Sequence, residues 1–165
     1  MVGLILFLHF GTFELLALGW NRVGVHVQPL MRSPLSSKSL GEFWSARWNT
    51  AFNALAHDLA FRSLARRWGV PMATLLVFAI SGLIHDAVIS RPARGGYGLP
   101  TAYFIVQGLG VLLERSNWGR RIGLGQRWRG RFFTIGFAAG PAFWLFHPTF
   151  VRNVILPMLD AIGAT

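Results

Sequence analysis

Apolar residues in this chain are gathered into runs long enough to cross a membrane. The run from Pro71 to Ser90 reads PMATLLVFAISGLIHDAVIS, and twenty helical residues at about 1.5 Å each span a hydrocarbon core of about 30 Å. Three further apolar runs lie at Val2 to Trp20, Leu99 to Leu113 and Phe132 to about Phe150. The pattern predicts an all-α integral membrane protein with about four transmembrane helices in a single domain over residues 1–165.

An amphipathic stretch, AFNALAHDLAFRSLARRWG, precedes the Pro71 run. Its larger apolar side chains fall near one side of a helix: Phe52, Leu55, Leu59 and Leu64. Three arginines crowd its last turns: Arg62, Arg66 and Arg67. Such a composition is typical of a helix lying at the lipid surface. Gly69 and Pro71 predict the end of this interfacial helix and the start of the next one.

The charge of the chain is strongly basic, with sixteen Lys and Arg against six Asp and Glu and a formal net charge of +10. Thirteen of the basic residues lie in two segments, Asn21 to Val70 and Arg115 to Arg131. Because they fall between apolar runs and not along a soluble face, nucleic-acid binding is not predicted. The positive-inside rule places both segments in the cytoplasm and both termini outside. The absence of cysteine excludes disulfides and thiolate chemistry.

Two polar residues, His85 and Asp86, interrupt the Pro71 to Ser90 run. An ionised Asp near the centre of such a helix costs about 2.5 to 3.5 kcal/mol on insertion scales, so groups of this kind usually face a bundle interior or a watered cavity. The pair therefore marks a candidate site. Successive helix residues diverge by about 100°, so Asp86 need not orient the imidazole, whereas Ser81 shares the His85 face. A packing histidine bonded to a neighbouring carbonyl is an equally good interpretation.

A second constellation lies in SLGEFWSARWNTAFN, Ser39 to Asn53. Its aromatic residues, Phe43, Trp44 and Trp48, surround Arg47 and the amide of Asn49. Taken alone, this composition favours an aromatic anchor at the membrane interface.

Other polar residues carry weaker signals. His9 and Glu14 could line a cavity from the first run, His57 with Asp58 is expected to be solvated, and His147 is expected to be an interfacial cap. The histidines lack HxxxH or HxxE spacing and the serines lack a GxSxG setting. Neither a metal site nor a serine hydrolase is predicted.

FWSARWN, followed about thirty-five residues later by SGLIHD, resembles the paired signatures of the wax synthase branch of the membrane-bound O-acyltransferase superfamily. Ser45 and Ala46 stand where the family often has Gly-Arg. The tail FWLFHPTFVRNVILPML, Phe143 to Leu159, is similar to the end of bacterial members, which implies a multi-pass protein of a bacterial cytoplasmic membrane. Family members usually have more than four spans. The resemblance therefore implies a further N-terminal membrane portion, a partner chain or self-association.

The resemblance implies transfer of an acyl group from acyl-CoA to a lipophilic alcohol, with a long-chain alcohol as the default acceptor. Acyl-CoA is then a co-substrate, and the protein is embedded in the lipid bilayer. No cofactor or metal is required. The catalytic histidine and asparagine of the family correspond to His85 and Asn49. Candidate substrate-binding residues are Trp44, Arg47, Trp48, Ser81 and Asp86. Candidate contacts of the CoA phosphates are Arg47, Arg62, Arg66, Arg67 and the basic residues from Arg120 to Arg131.

The depth of the two catalytic candidates presents a difficulty. His85 lies about 21 Å by helical rise from Pro71, near the outer end of its run, whereas Asn49 lies on the cytoplasmic side. Either the FWSARWN segment enters the bundle, or the helix is tilted and lined by a cavity.

Two other functions remain open from the sequence. The first is a non-catalytic scaffold or lipid-binding subunit, in which His85 and Asp86 only hold helices together. The second is a small transporter with an intramembrane proton relay.

Overall fold

The computed structural model describes residues 19–24, 30–161 and 163, and the regular structure within them is helical, without strands. The helices are α1 (Leu40–Glu42), α2 (Thr50–Ala56), α3 (Arg62–Ala93), α4 (Leu99–Arg115), α5 (Asn117–Arg121), α6 (Arg127–Ala139), α7 (Ala142–Leu145), α8 (Pro148–Phe150) and α9 (Leu156–Ala161). Three π-helical turns join neighbouring helices: Phe43–Arg47, His57–Phe61 and Val151–Ile155. The predicted all-α class is confirmed.

Helix α3 is the long apolar element, and it bends at Gly69. This residue has φ 79° and ψ 162°, a backbone conformation that glycine adopts because it has no Cβ. Pro71 then lies in the first turn of the second half, where its missing N–H costs little. The predicted break between the interfacial helix and the Pro71 helix is confirmed. How the first half lies relative to a lipid surface stays a prediction.

The described part of the chain contains one helical stretch long and apolar enough to cross a membrane, Thr50–Ala93. Within α3, large apolar side chains project from the protein surface: Ile80, Leu83, Ile84 and Val88. A face of this composition is stable against lipid and costly against water.

The other predicted spans have different outcomes. The run Leu99 to Leu113 is helical and continues to Arg115, although seventeen residues cover only about 25 Å. The prediction of one helix over Phe132 to Phe150 is wrong, because α6 ends at Ala139 and Pro141 and Pro148, which lack an N–H, interrupt the helical hydrogen bonds. The run Val2 to Trp20, with His9 and Glu14, lies outside the described residues up to position 18.

Helices α3 and α4 approach each other closely. A Cβ on Gly82 would lie 2.8 Å from the Cα of Thr101, so only glycine allows this contact. Asp86 joins the two helices, because its Oδ2 accepts hydrogen bonds from the Gly98 N–H at 2.8 Å and from the Thr101 hydroxyl at 2.7 Å. The Asp86 carboxylate therefore fixes the start of α4 on α3.

Buried polar side chains of α4 also hold α6. The Tyr103 hydroxyl donates to the Ala138 carbonyl at 2.9 Å, and the Gln107 amide donates to the Phe137 carbonyl at 2.6 Å. Gln107 is fully buried. Since an unpaired buried amide is costly, these bonds specify how α6 packs on α4.

The C-terminal helices are attached to the end of α3 through buried His147. Its Nδ1 accepts from the Phe150 N–H at 3.2 Å as the N-cap of α8, and its Nε2 lies 3.5 Å from the Ser90 hydroxyl. The Asn153 amide donates to the Ala93 carbonyl at 2.8 Å. The predicted capping role of His147 is thus confirmed, and the side chain is buried within the protein. Its position at a membrane interface stays a prediction.

The Gly82 contact generates a prediction about stability. Gly82→Ala places a methyl group against the backbone of α4, so it should destabilise the fold by about 1–3 kcal/mol. Gly136→Ala is the matched control, because no atom lies within 4 Å of its added Cβ and alanine favours a helix over glycine by about 0.5–1 kcal/mol. Thermal unfolding in nanodiscs should show a lower Tm for Gly82→Ala and an unchanged or higher Tm for Gly136→Ala. Equal Tm values would contradict the close α3–α4 contact.

Candidate active site

Two buried polar residues of α4, Gln107 and Glu114, hold the FWSARWN segment and the helix turn α1 that begins it. The carboxylate of Glu114 accepts from the Leu40 N–H at 2.6 Å and from the Gly41 N–H at 3.3 Å. The Trp44 indole N–H donates to the Gln107 Oε1 at 3.2 Å. Because both α4 groups are buried, each depends on its partner for hydrogen bonding. The segment is therefore held against α4 directly at Trp44 and through α1 at Leu40 and Gly41.

Arg47 stabilises the segment itself. Its guanidinium pairs with the Glu42 carboxylate at 2.7 Å, and the Lys38 N–H and this guanidinium hold the pKa of Glu42 below its ordinary value. Arg47 also donates hydrogen bonds to groups in the preceding loop: the Arg32 carbonyl, the Ser33 carbonyl and the Ser36 hydroxyl. These contacts connect the loop and the segment.

Asn49 has a left-handed backbone, with φ 44° and ψ 63°, which asparagine tolerates better than most residues. It is the N-cap of α2, and its Oδ1 accepts from the Phe52 N–H at 3.2 Å. The amide oxygen therefore stabilises the helix start. The amide N–H₂ is the part of the side chain that can donate to another group.

Trp44 carries the segment into the helix bundle. The centroid of its ring lies 5.7 Å from the ring centroid of Phe78 on α3 and 5.6 Å from that of Phe104 on α4. The ring centroid of Phe104 in turn lies 4.3 Å from that of the His85 imidazole. The FWSARWN segment thus enters the bundle through Trp44, which is the first of the two arrangements predicted from the sequence. The tilt of the helix in a membrane stays a prediction.

His85 has a defined tautomer. Its Nδ1 lies 2.7 Å from the Ser81 carbonyl, one helical turn earlier. Since a carbonyl only accepts hydrogen bonds, Nδ1 carries the proton and Nε2 of the neutral ring carries the lone pair. The backbone of Ser81 makes this contact, and the ring is half-buried. Of the two nitrogens of the neutral ring, Nε2 is therefore the one with acceptor character.

A cavity of about 380 Å³ lies between the FWSARWN segment, α2, α3 and α4. It extends along α3 from Thr74 to His85, about 16 Å of helical rise. Five of the seven predicted site residues line it: Trp44, Trp48, Asn49, Ser81 and His85. The other two do not, because Arg47 contacts the loop and Asp86 fixes the start of α4.

The phosphate-binding arginines predicted from the sequence, Arg62, Arg66, Arg67 and those from Arg120 to Arg131, are exposed and lie outside the cavity lining. A different arginine, Arg115 at the end of α4, lines the cavity.

Sequence reasoning also missed other lining residues, among them Asn53, His57, Phe78 and Phe104. The solvated position predicted for His57 is only partly right, since its side chain is 53% exposed and also lines the cavity. A signal was present: Asn49, Asn53 and His57 are spaced by four residues, which places them on one helix face.

Stability measurements can test the capping role of the Asn49 side-chain oxygen. Asn49→Asp keeps an oxygen for the Phe52 N–H and a residue type that accepts the left-handed backbone, so the unfolding free energy should change little. Asn49→Ala loses the cap and should cost about 0.5–2 kcal/mol, with a further cost for positive φ. Chemical denaturation in nanodiscs measures both. Equal stability of Asn49→Ala and wild type would contradict the capping role.

Comparison with known proteins adds to this geometry. Residues 27–106 match the family described as "Membrane bound O-acyl transferase family", and this range contains both FWSARWN and SGLIHD. A Simmondsia chinensis long-chain-alcohol O-fatty-acyltransferase is 27% identical over 145 residues, which cover 79% of this chain and 40% of that protein. An Arabidopsis thaliana protein named probable long-chain-alcohol O-fatty-acyltransferase 7 is 26% identical over 148 residues, which cover 79% of this chain and 42% of that protein.

An acyl-CoA–sterol O-acyltransferase 1 from Arabidopsis thaliana is 25% identical over 157 residues, which cover 85% of this chain and 45% of that protein. The chain thus spans less than half the length of the curated relatives it matches. No solved structure matches it. The family match and these relatives together confirm that the chain is similar to the wax synthase-like branch of the membrane-bound O-acyltransferase family.

Proposed function

We propose that this chain forms the catalytic part of an O-acyltransferase that transfers an acyl group from acyl-CoA to the hydroxyl of a lipophilic acceptor, with a long-chain alcohol as the first candidate. One observation carries the proposal: the imidazole of His85 and the amide of Asn49 line a single cavity between apolar helices. The names of similar proteins, which include long-chain-alcohol and sterol acyltransferases, support the reaction class. Acyl-CoA enters as a co-substrate, and the reaction needs no resident cofactor.

His85 is the general base of the proposed reaction. As the alcohol oxygen attacks the thioester carbonyl, Nε2 accepts the hydroxyl proton. A C–O bond forms, the C–S bond breaks, and the proton passes to the departing thiolate, which leaves an ester and a free thiol. The Nδ1 hydrogen bond to the Ser81 carbonyl fixes the ring and stabilises the transient imidazolium. General-base catalysis of this kind contributes about 10² to 10⁴ in rate.

Asn49 stabilises the negative charge that develops on the thioester carbonyl oxygen. Its oxygen accepts from the Phe52 N–H, so its N–H₂ group is the donor available to the substrate. A fixed donor acts without reorganising as charge develops, and loss of one such donor typically costs about 10² to 10³ in rate.

The cavity lining suits an amphiphilic thioester. Its apolar wall includes Phe52, Val77, Phe78, Phe104 and Val111, against which an acyl chain can pack. We propose Trp44, Trp48 and Ser81 as further substrate contacts, and Arg115 as a cation for the phosphates of CoA.

The location follows from the same proposal. We propose that the chain is a multi-pass membrane protein with both basic segments on the side where acyl-CoA is dissolved. The relatives named above are plant proteins, so the bacterial cytoplasmic membrane stays a prediction. We propose that a further membrane portion, a partner chain or a second copy of the chain completes the enclosure of the cavity.

The proposal is tested by thiol release from long-chain acyl-CoA, with and without a long-chain alcohol, by the protein in nanodiscs. His85→Gln should lower alcohol-dependent release by about 10² to 10⁴, with the Tm of the wild type. Leu83→Ala is the matched control, because Leu83 lies two positions away on the same helix and is exposed on its outer side.

Ester formation measured by mass spectrometry accompanies each assay. Release that persists in a folded His85→Gln variant would overturn the role of His85. Absence of release, also with any further membrane portion encoded with the chain, would overturn acyl transfer and favour the scaffold or lipid-binding function.

A further inference from the structure

The cavity contains a second imidazole, His57, that the proposed reaction does not use. His57 begins the π-helical turn His57–Phe61 between α2 and α3. Such wide turns often occur at functional sites because they change where a side chain lies relative to a regular helix. The His57 side chain is about half exposed, whereas the imidazole of His85 lies deeper between Phe104 and the Ser81 backbone.

Two contacts fix the ring of His57. Its Nδ1 lies 3.2 Å from the Asp58 carboxylate, and since an ionised carboxylate only accepts, the Nδ1 of the ring carries a proton. The ring also stacks on Phe61, with centroids 5.6 Å apart and planes inclined by 22°. Phe61 lines the cavity as well. In its neutral form, His57 therefore presents Nε2 as a hydrogen-bond acceptor with a defined ring plane.

Asn53 provides a second acceptor on the same helix face. Its amide N–H₂ donates to the Ser45 carbonyl, so its Oδ1 is the atom that can accept from a ligand. Residues 53 and 57 are one helical turn apart, and both line the cavity. Two acceptors at this spacing are complementary to a flexible chain that carries amide N–H donors.

We propose that His57 is a binding residue for the amide-bearing carrier arm of the acyl thioester, with Asp58 as the positioning residue that sets its tautomer. This inference rests on the proposed function, because CoA reaches its thioester through an arm containing two secondary amides. In this arrangement the polar arm lies along Asn53 and His57 at the wetter part of the cavity. The acyl carbon lies deeper, near His85.

The test separates substrate binding from chemistry in nanodiscs. His57→Phe keeps an aromatic ring for the Phe61 contact and removes both nitrogens, so the KM for acyl-CoA should rise about 3- to 10-fold, the value of one hydrogen bond. The kcat should stay within about twofold, since the acyl carbon and His85 are unchanged. Leu59→Ala, an exposed site in the same turn, should leave both constants unchanged.

A truncated substrate provides the decisive control. For an acyl thioester of a simple thiol without amides, His57→Phe should leave KM unchanged, because the proposed partner is absent. His57→Gln, which keeps an acceptor, should recover part of the loss with acyl-CoA. An equal rise of KM for both thioesters, or no rise with acyl-CoA, would overturn the inference.

Failure of the proposed function gives a different result. If the wild type shows no turnover, binding of a non-reactive acyl-CoA thioether to wild type and His57→Phe decides the inference on its own. A Kd that is about 3- to 10-fold weaker in His57→Phe supports the binding role. Equal Kd values overturn it.

Discussion

The attachment of the FWSARWN segment to α4 is the interaction on which the rest of the site depends. Gln107 and Glu114 are buried polar side chains on one face of an apolar helix, and each bonds to a group of the segment or of the helix turn that begins it. Loss of either bond would leave a buried polar group without a partner, which is costly at low dielectric. The bonds therefore hold Trp44 between α3 and α4, and they hold Asn49 at the cavity that His85 lines.

The apolar surroundings strengthen the same arrangement. In the proposed mechanism, a hydrogen bond from Asn49 to the developing oxyanion is stronger against the apolar lining of the cavity than it would be in bulk water. Gly82 contributes indirectly, because the close contact of α3 with α4 brings Phe104 to the His85 ring.

The sequence predicted those parts of the structure that depend on local signals. Gly69 and Pro71 marked the bend in α3 because backbone freedom and a missing N–H are properties of single residues. The same reasoning applied to Pro141 and Pro148 would have avoided the wrong prediction of one helix over Phe132 to Phe150. Hydropathy counts apolar residues and does not weigh lost hydrogen bonds.

Other parts depend on tertiary contacts that no local pattern contains. Arg47 and Asp86 were predicted to bind substrate. In the structure, Arg47 donates hydrogen bonds to the preceding loop, and Asp86 accepts hydrogen bonds from the start of α4. Nothing local predicts the π-helical turn at His57. The pairing of Gln107 with Trp44 joins residues far apart in sequence.

The central claim is that His85 and Asn49 act on one thioester in one cavity. The most direct measurement is a double-mutant cycle on alcohol-dependent ester formation, with His85→Gln, Asn49→Asp and the double variant in nanodiscs. We expect each single variant to lose at least about a hundredfold, and the double variant to be about as slow as His85→Gln alone, because groups that act on one transition state are not additive. Retention of wild-type rates by the folded single variants, or losses that simply multiply in the double variant, would contradict the account.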